Sequence, residues 1–147
     1  MKKLLFSALA GLVLVSACKK DDETVPTMQV SGTLSASNEV PAVTSSATGT
    51  FSGTFTPSTK ALNYTVTYAG LTGPATAAHL HYGDAKHTTP APTVPFTGVP
   101  SAASGTFSGT VTLNAMQADS LKAGRIYANI HTTANSGGEL RANLTVK

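Results

Sequence analysis

Ala47-Thr48-Gly49-Thr50-Phe51-Ser52-Gly53-Thr54-Phe55-Thr56 returns later in the chain as Ala103-Ser104-Gly105-Thr106-Phe107-Ser108-Gly109-Thr110-Val111-Thr112, with eight of ten positions identical. Each copy places Gly, Phe, Gly and an apolar residue on one face and Thr, Ser and Thr on the other. That is the period of two of a β-strand, not the 3.6 of a helix. Glycine weakens a strand unless close packing requires it. Its return at the same two places in both copies therefore points to two strands in equivalent surroundings. Shared Gly/Ser/Thr usage without structural equivalence is the alternative. Two copies are too few for a solenoid, so the repeat reads as pseudo-symmetry inside one domain.

The rest of the chain follows the same period. Met28, Val30, Gly32 and Leu34 share a face, as do Leu62, Tyr64, Val66 and Tyr68. Ala78, Leu80 and Tyr82 stand opposite Ala77, His79 and His81. Ile126, Ala128 and Ile130 stand opposite Arg125, Tyr127, Asn129 and His131. Leu140, Ala142, Leu144 and Val146 stand opposite Glu139, Arg141, Asn143 and Thr145. One apolar and one polar face mark half-buried antiparallel strands. Pro90, Pro92, Pro95 and Pro100 assign Thr88 to Pro100 to loop or sheet edge. One short helix is expected before Ile126. Asn114 caps it, Gln117 completes a capping box, and Gly124 ends it, with Met116 and Leu121 packing inward. The fold class is all-β: an antiparallel Greek-key sandwich or barrel of seven to nine strands with one short helix.

The N-terminus has its own pattern. Lys2 and Lys3 precede an apolar run from Leu4 to Val15, then Ser16, Ala17 and the single cysteine, Cys18. This is a charged, then apolar, then small-residue order, too short to span a bilayer, which takes about 20 apolar residues. Val15-Ser16-Ala17-Cys18 resembles a bacterial lipobox. The resemblance implies a lipoprotein signal peptide over 1–17, a diacylglycerol on the Cys18 thiol, and acylation of the new amino group by a chain such as palmitate. The membrane is then a partner through this lipid. Residues 18–26 carry Lys19-Lys20-Asp21-Asp22-Glu23 and read as a charged, flexible tether. Lys19 after the cysteine resembles outer-membrane rather than inner-membrane sorting, on the periplasmic side or at the surface.

Lys2 and Lys3 supply two of the +3 formal charges, so the chain beyond residue 17 is nearly neutral. It has no basic cluster, which speaks against nucleic acid as a partner. It has no tryptophan, which speaks against a stacked-aromatic carbohydrate platform. A lipidated Cys18 leaves no disulfide, so the domain over 27–147 must hold by its core.

Four segments occur in order: Asn38-Glu39-Val40-Pro41, Ala78-His79-Leu80-His81-Tyr82-Gly83, Leu121 to Thr132, and Gly138-Glu139-Leu140-Arg141. Together they resemble the CHRD domain, found in animal chordin and in bacterial secreted proteins. The loop Asp84-Ala85-Lys86-His87-Thr88-Thr89-Pro90 departs from the family pattern. The resemblance implies an extracytoplasmic β domain and no established activity.

His79 and His81 are two apart on a strand and share a face, and His131 lies on the polar side of another strand. Three converging neutral imidazoles suit Cu(II) or Zn(II). Glu39, Glu139 or His87 would be a further ligand or an orienting group around them, and Arg141 an outer group only. The plainer alternative is that the histidines and the Glu139–Arg141 pair only pin loops. Arg141 holding Glu39 is a further option. His79 to Asp84 also resembles the copper strand of copper–zinc superoxide dismutases. The spacing differs by one residue and no bridging-histidine motif is present, so dismutase activity is not expected. No G-x-S-x-G elbow, phosphate loop or HExxH occurs. The chain therefore reads as a non-enzymatic, lipid-anchored cell-envelope binding module, or alternatively as a copper-type metal-binding protein.

Overall fold

The computed structural model describes residues 25–147. The expected signal segment, Cys18 and the expected tether up to residue 24 lie outside the described residues. Nine strands, all paired antiparallel, carry the fold: β1 (Met28–Ser35), β2 (Thr48–Thr56), β3 (Ala61–Ala69), β4 (Ala75–Tyr82), β5 (Val94–Pro95), β6 (Gly105–Thr112), β7 (Ile126–Thr132), β8 (Leu140–Asn143) and β9 (Thr145–Val146). A 3-10 turn, Ala36–Asn38, follows β1, and one helix, α1 (Ala115–Lys122), precedes β7. The sheet runs β5-β4-β7-β8-β1-β2-β3-β6, with β9 beside β1.

The repeated stretches are β2 and β6, and they flank β3 in one shared register. Phe51 and Phe107 both face Val66; Gly49 and Gly105 both face Tyr68; Gly53 and Gly109 both face Tyr64. Both phenylalanines are buried. The glycines are there because β3 carries large rings on its inner face. A Cβ at Gly109 would stand 2.6 Å from the Tyr64 hydroxyl, and one at Gly105 would stand 3.0 Å from that of Tyr68. On the β2 side, a Cβ at Gly53 would meet the Asn63 carbonyl oxygen at 2.6 Å.

The sheet curls into a half-barrel, and the far ends meet over the core. Phe96, just after edge strand β5, lies against Tyr64 and Phe107 with ring centroids 4.6 and 5.5 Å away. The backbone of Ala102 and Ala103 accepts from Ala75 and Leu71. The curl is accommodated where the last strand breaks. Leu144 leaves the ladder to donate its N–H to Ile126, which splits the expected strand over 140–146 into β8 beside β7 and β9 beside β1.

Two local expectations change. Asn114 and Gln117 do form the capping box and Gly124 adopts φ +66°. However, Met116 is 69 % exposed, and Ala118 and Leu121 make the buried face of α1. The eight-residue helix has room for only one inward row, and Met116 falls outside it. The Pro-rich stretch is loop with the edge strand β5, as its prolines indicate, and it also contributes Val94 and Phe96 to the core. Strand β7 is buried on both faces from Ile126 to Ile130, because loops cover what the sequence marks as its polar side.

Candidate metal centre

β4 and β7 are neighbours with Ala77 opposite His131, His79 opposite Asn129 and His81 opposite Tyr127. His131 is therefore diagonal to His79 on the outer face, within reach of a long side chain. The structure brings His79, His81 and His131 together: one nitrogen from each lies within 4.8 Å of the others. His79 Nδ1 and His131 Nε2 are 3.1 Å apart. Ring centroids are 5.0 Å (His79–His131), 5.6 Å (His79–His81) and 6.2 Å (His81–His131).

Backbone carbonyls fix two of the rings. His81 Nδ1–H donates to the Thr89 oxygen at 3.0 Å, and His131 Nδ1–H donates to the Ser136 oxygen at 2.9 Å. A carbonyl only accepts, so each Nδ1 carries the proton and each Nε2 keeps a lone pair turned toward the cluster. Burial, followed by repulsion from His131 and His81, pushes the His79 imidazole below its ordinary pKa. Burial also lowers His81 and His131, against the opposing effect of their carbonyl partners. Three neutral rings at neutral pH are the ligating form. Metal–nitrogen bonds of about 2.0–2.1 Å at tetrahedral angles put neighbouring nitrogens about 3.4 Å apart. The His79–His131 edge, at 3.1 Å, is already close to this; an edge at the outer bound of 4.8 Å needs to contract by about 1.4 Å.

The outer face beside the histidines is layered. The His81 ring stacks on Tyr127 at 5.0 Å and 8°, and the Arg141 guanidinium lies 3.5 Å from the centre of the same Tyr127 ring. Arg141 is fully buried. Its Nη2 donates to the Asp84 and His87 carbonyls and its Nε to Asn143. The Tyr127 hydroxyl sits 2.5 Å from Thr88 Oγ1. The Asp84–Thr89 loop is thereby held down over His81.

Glu139, also fully buried, does not pair with Arg141. It collects five donors: Ser45 Oγ, Thr72 N–H, Thr72 Oγ1, Thr132 Oγ1 and Asn135 Nδ2. Burial alone would raise its pKa, but the hydrogen bonds from Thr72, Thr132 and Ser45 outweigh it and hold the carboxyl at about 2. Glu39 does not form an ion pair with Arg141 either. It accepts from Asn129 Nδ2 at 2.6 Å, and burial pushes it up to about 7 against the pull of Arg141 and Asn129. None of Glu39, Glu139 and Arg141 hydrogen-bonds an imidazole; the orienting partners of the rings are carbonyls. His87 bonds Asp84 at the exposed loop and stands apart from the three. Tyr127, Asn129 and the donors around Glu139 are the parts of the face that sequence reasoning missed; the alternation of β7 marked their side as polar but gave no partner.

Three sealed side-chain atoms lack a partner among the described residues: His81 Nε2, Asn129 Oδ1 and Arg141 Nη1. All three lie on this one face of β4, β7 and β8. A buried polar atom without a partner costs about 1–3 kcal/mol, so such a concentration points to a site. Among the described residues no helix is long and apolar enough to cross a membrane. No curated protein and no solved structure matches the chain. The CHRD domain matches residues 30–144, which takes in every strand that carries this face, and the chain belongs to the CHRD domain family.

Proposed function

We propose that this domain is a binding module whose ligand is a divalent transition-metal ion of the Cu(II) or Zn(II) class, held by His79 Nδ1, His81 Nε2 and His131 Nε2 without turnover. The observation that carries the reading is the sealed, unpartnered Nε2 of His81 at the convergence of two further neutral imidazoles. An ion there would satisfy that nitrogen, and the Thr89 and Ser136 carbonyls would act as the outer partners that orient metal-bound histidines. Calorimetric titration tests it. Cu(II) should bind at micromolar concentration or tighter and exceed Zn(II) by the usual affinity order. Each single His→Ala variant should lose at least tenfold, and binding should weaken as pH falls and the rings protonate. No binding at micromolar metal, or three variants that bind like the wild type, would leave the histidines a purely structural role.

The module is further proposed to sit at the bacterial cell envelope through a lipid on Cys18. The pattern from Lys2 to Cys18 supports this, as does the charged tether that follows. Cys18→Ser should move the protein from the membrane fraction to the soluble one; a variant that stays with the membrane would contradict the anchor.

A further inference from the structure

A cavity lies beside the turn whose Ser136 carbonyl holds His131. It has a volume of about 310 Å³ and opens between the chain after the 3-10 turn and the β7–β8 connection, lined among others by Glu39, Val40, Pro41, Val43, Gly137 and Gly138. Glu39 is only 8 % exposed. Its Oε1 accepts from Asn129; no hydrogen bond reaches its Oε2 among the described residues, and that oxygen is not among the sealed, partnerless atoms, so it keeps some access to solvent. No Lys or Arg lies within ion-pair distance of it among the described residues. A carboxylate in this position, nine-tenths buried and without a counter-ion in contact, is costly. Val40, Pro41 and Val43 give the cavity an apolar wall.

The walls are kept clear by backbone requirements. Gly138 has φ +131°, and a Cβ there would stand 2.1 Å from Asn129 Nδ2 and 2.5 Å from Glu39 Oε1. Only glycine lets the turn pass so close to the carboxylate. Gly137 has no atom within 4 Å of where a Cβ would be, so the space beside it is open.

We infer that this cavity binds a primary ammonium group on an aliphatic stem, with Glu39 Oε2 accepting from the ammonium and the Val40–Pro41–Val43 wall covering the stem. Such a group ends a lysine side chain and also a free alkylamine. An ammonium is favoured over a metal ion because Glu39 is the only charged ligand in a lining whose other polar side chains are the neutral Asn135 and Ser136. It is favoured over a neutral alcohol because the free oxygen is a charged acceptor when Glu39 is ionised. The inference stands apart from the histidine site, since Glu39 touches none of the three rings.

The test titrates n-butylammonium chloride at pH 8 and follows the Gly137 and Gly138 amide signals by NMR, with n-butanol as the uncharged control. Saturable millimolar binding by the amine, none by the alcohol, and at least tenfold weakening in Glu39→Gln are expected. Gln keeps an oxygen for Asn129, and the melting curve of the variant checks the fold. An acetylated and amidated Gly-Lys-Gly peptide, run in parallel, tells a lysine side chain of a partner protein from a free amine. Absence of saturable amine binding to the wild type, or equal binding by a folded Glu39→Gln, would overturn the inference.

Discussion

Phe51→Ala and Phe107→Ala should each lower the unfolding free energy by about 3–5 kcal/mol, the cost of emptying a buried aromatic position. The two costs should be similar, because both rings sit opposite Val66 and both pack near Phe96, with centroids 6.3 and 5.5 Å away. Their common neighbour also means that the double variant will not be additive. Urea unfolding measures this, with the midpoint falling at an unchanged slope. A loss below about 1 kcal/mol for either, far under the range for buried rings, would contradict the equivalence of the two strands.

Glu139→Ala should cost about as much by a different route. Five donors from three segments converge on that carboxylate and would lose their acceptor together; Thr132 is buried, Ser45 and Asn135 are half-buried and Thr72 is exposed, so at about 1–3 kcal/mol for a buried donor left unpaired, with water recovering the outer ones, the loss is about 3–4 kcal/mol. Acid provides the second readout. The folded pKa of about 2 lies below the ordinary 4.5, so the carboxylate contributes stability that is complete above pH 4.5 and is lost as pH falls towards 2. Glu39 acts in the opposite sense. Its folded pKa of about 7 lies above 4.5, so its share is complete below pH 4.5 and is lost as pH rises through 7. Unfolding curves of the wild type and Glu139→Gln between these limits should converge on acidification. Curves that stay parallel down to pH 2 would show that Glu139 is not the ionised hub described here.

What the sequence made legible was local. The glycine–phenylalanine period of the repeat was enough to place β2 and β6, and the His-x-His spacing was enough to put two rings on one face. The β-strand reading of Ile126 to His131 brought the third histidine onto a candidate strand. What stayed hidden depends on register between distant segments. Ser45 and Thr72 reach Glu139 across 94 and 67 residues, and nothing near either residue marks it as a donor to a buried acid. The Arg141–Tyr127–His81 layering arises only once β4, β7 and β8 are aligned. Glu139 and Arg141, two apart on one strand, read naturally as an ion pair; each is drawn instead to partners on loops that fold over it. Met116 was misplaced because its neighbours in the capping box say where the helix starts and not which side faces the sheet.

His79, His81 and His131 are proposed to form one ion site, with the proton positions of His81 and His131 fixed by backbone carbonyls. The most direct measurement is the imidazole nitrogen spectrum of the protein before and after one equivalent of Zn(II), at neutral pH. The Nε2 signals of His81 and His131 should move to metal-bound values while their Nδ1–H, bonded to Thr89 and Ser136, stay protonated, and His79 should shift at Nδ1. Spectra in which the three rings are unchanged by Zn(II), or in which His87 responds in their place, would contradict it.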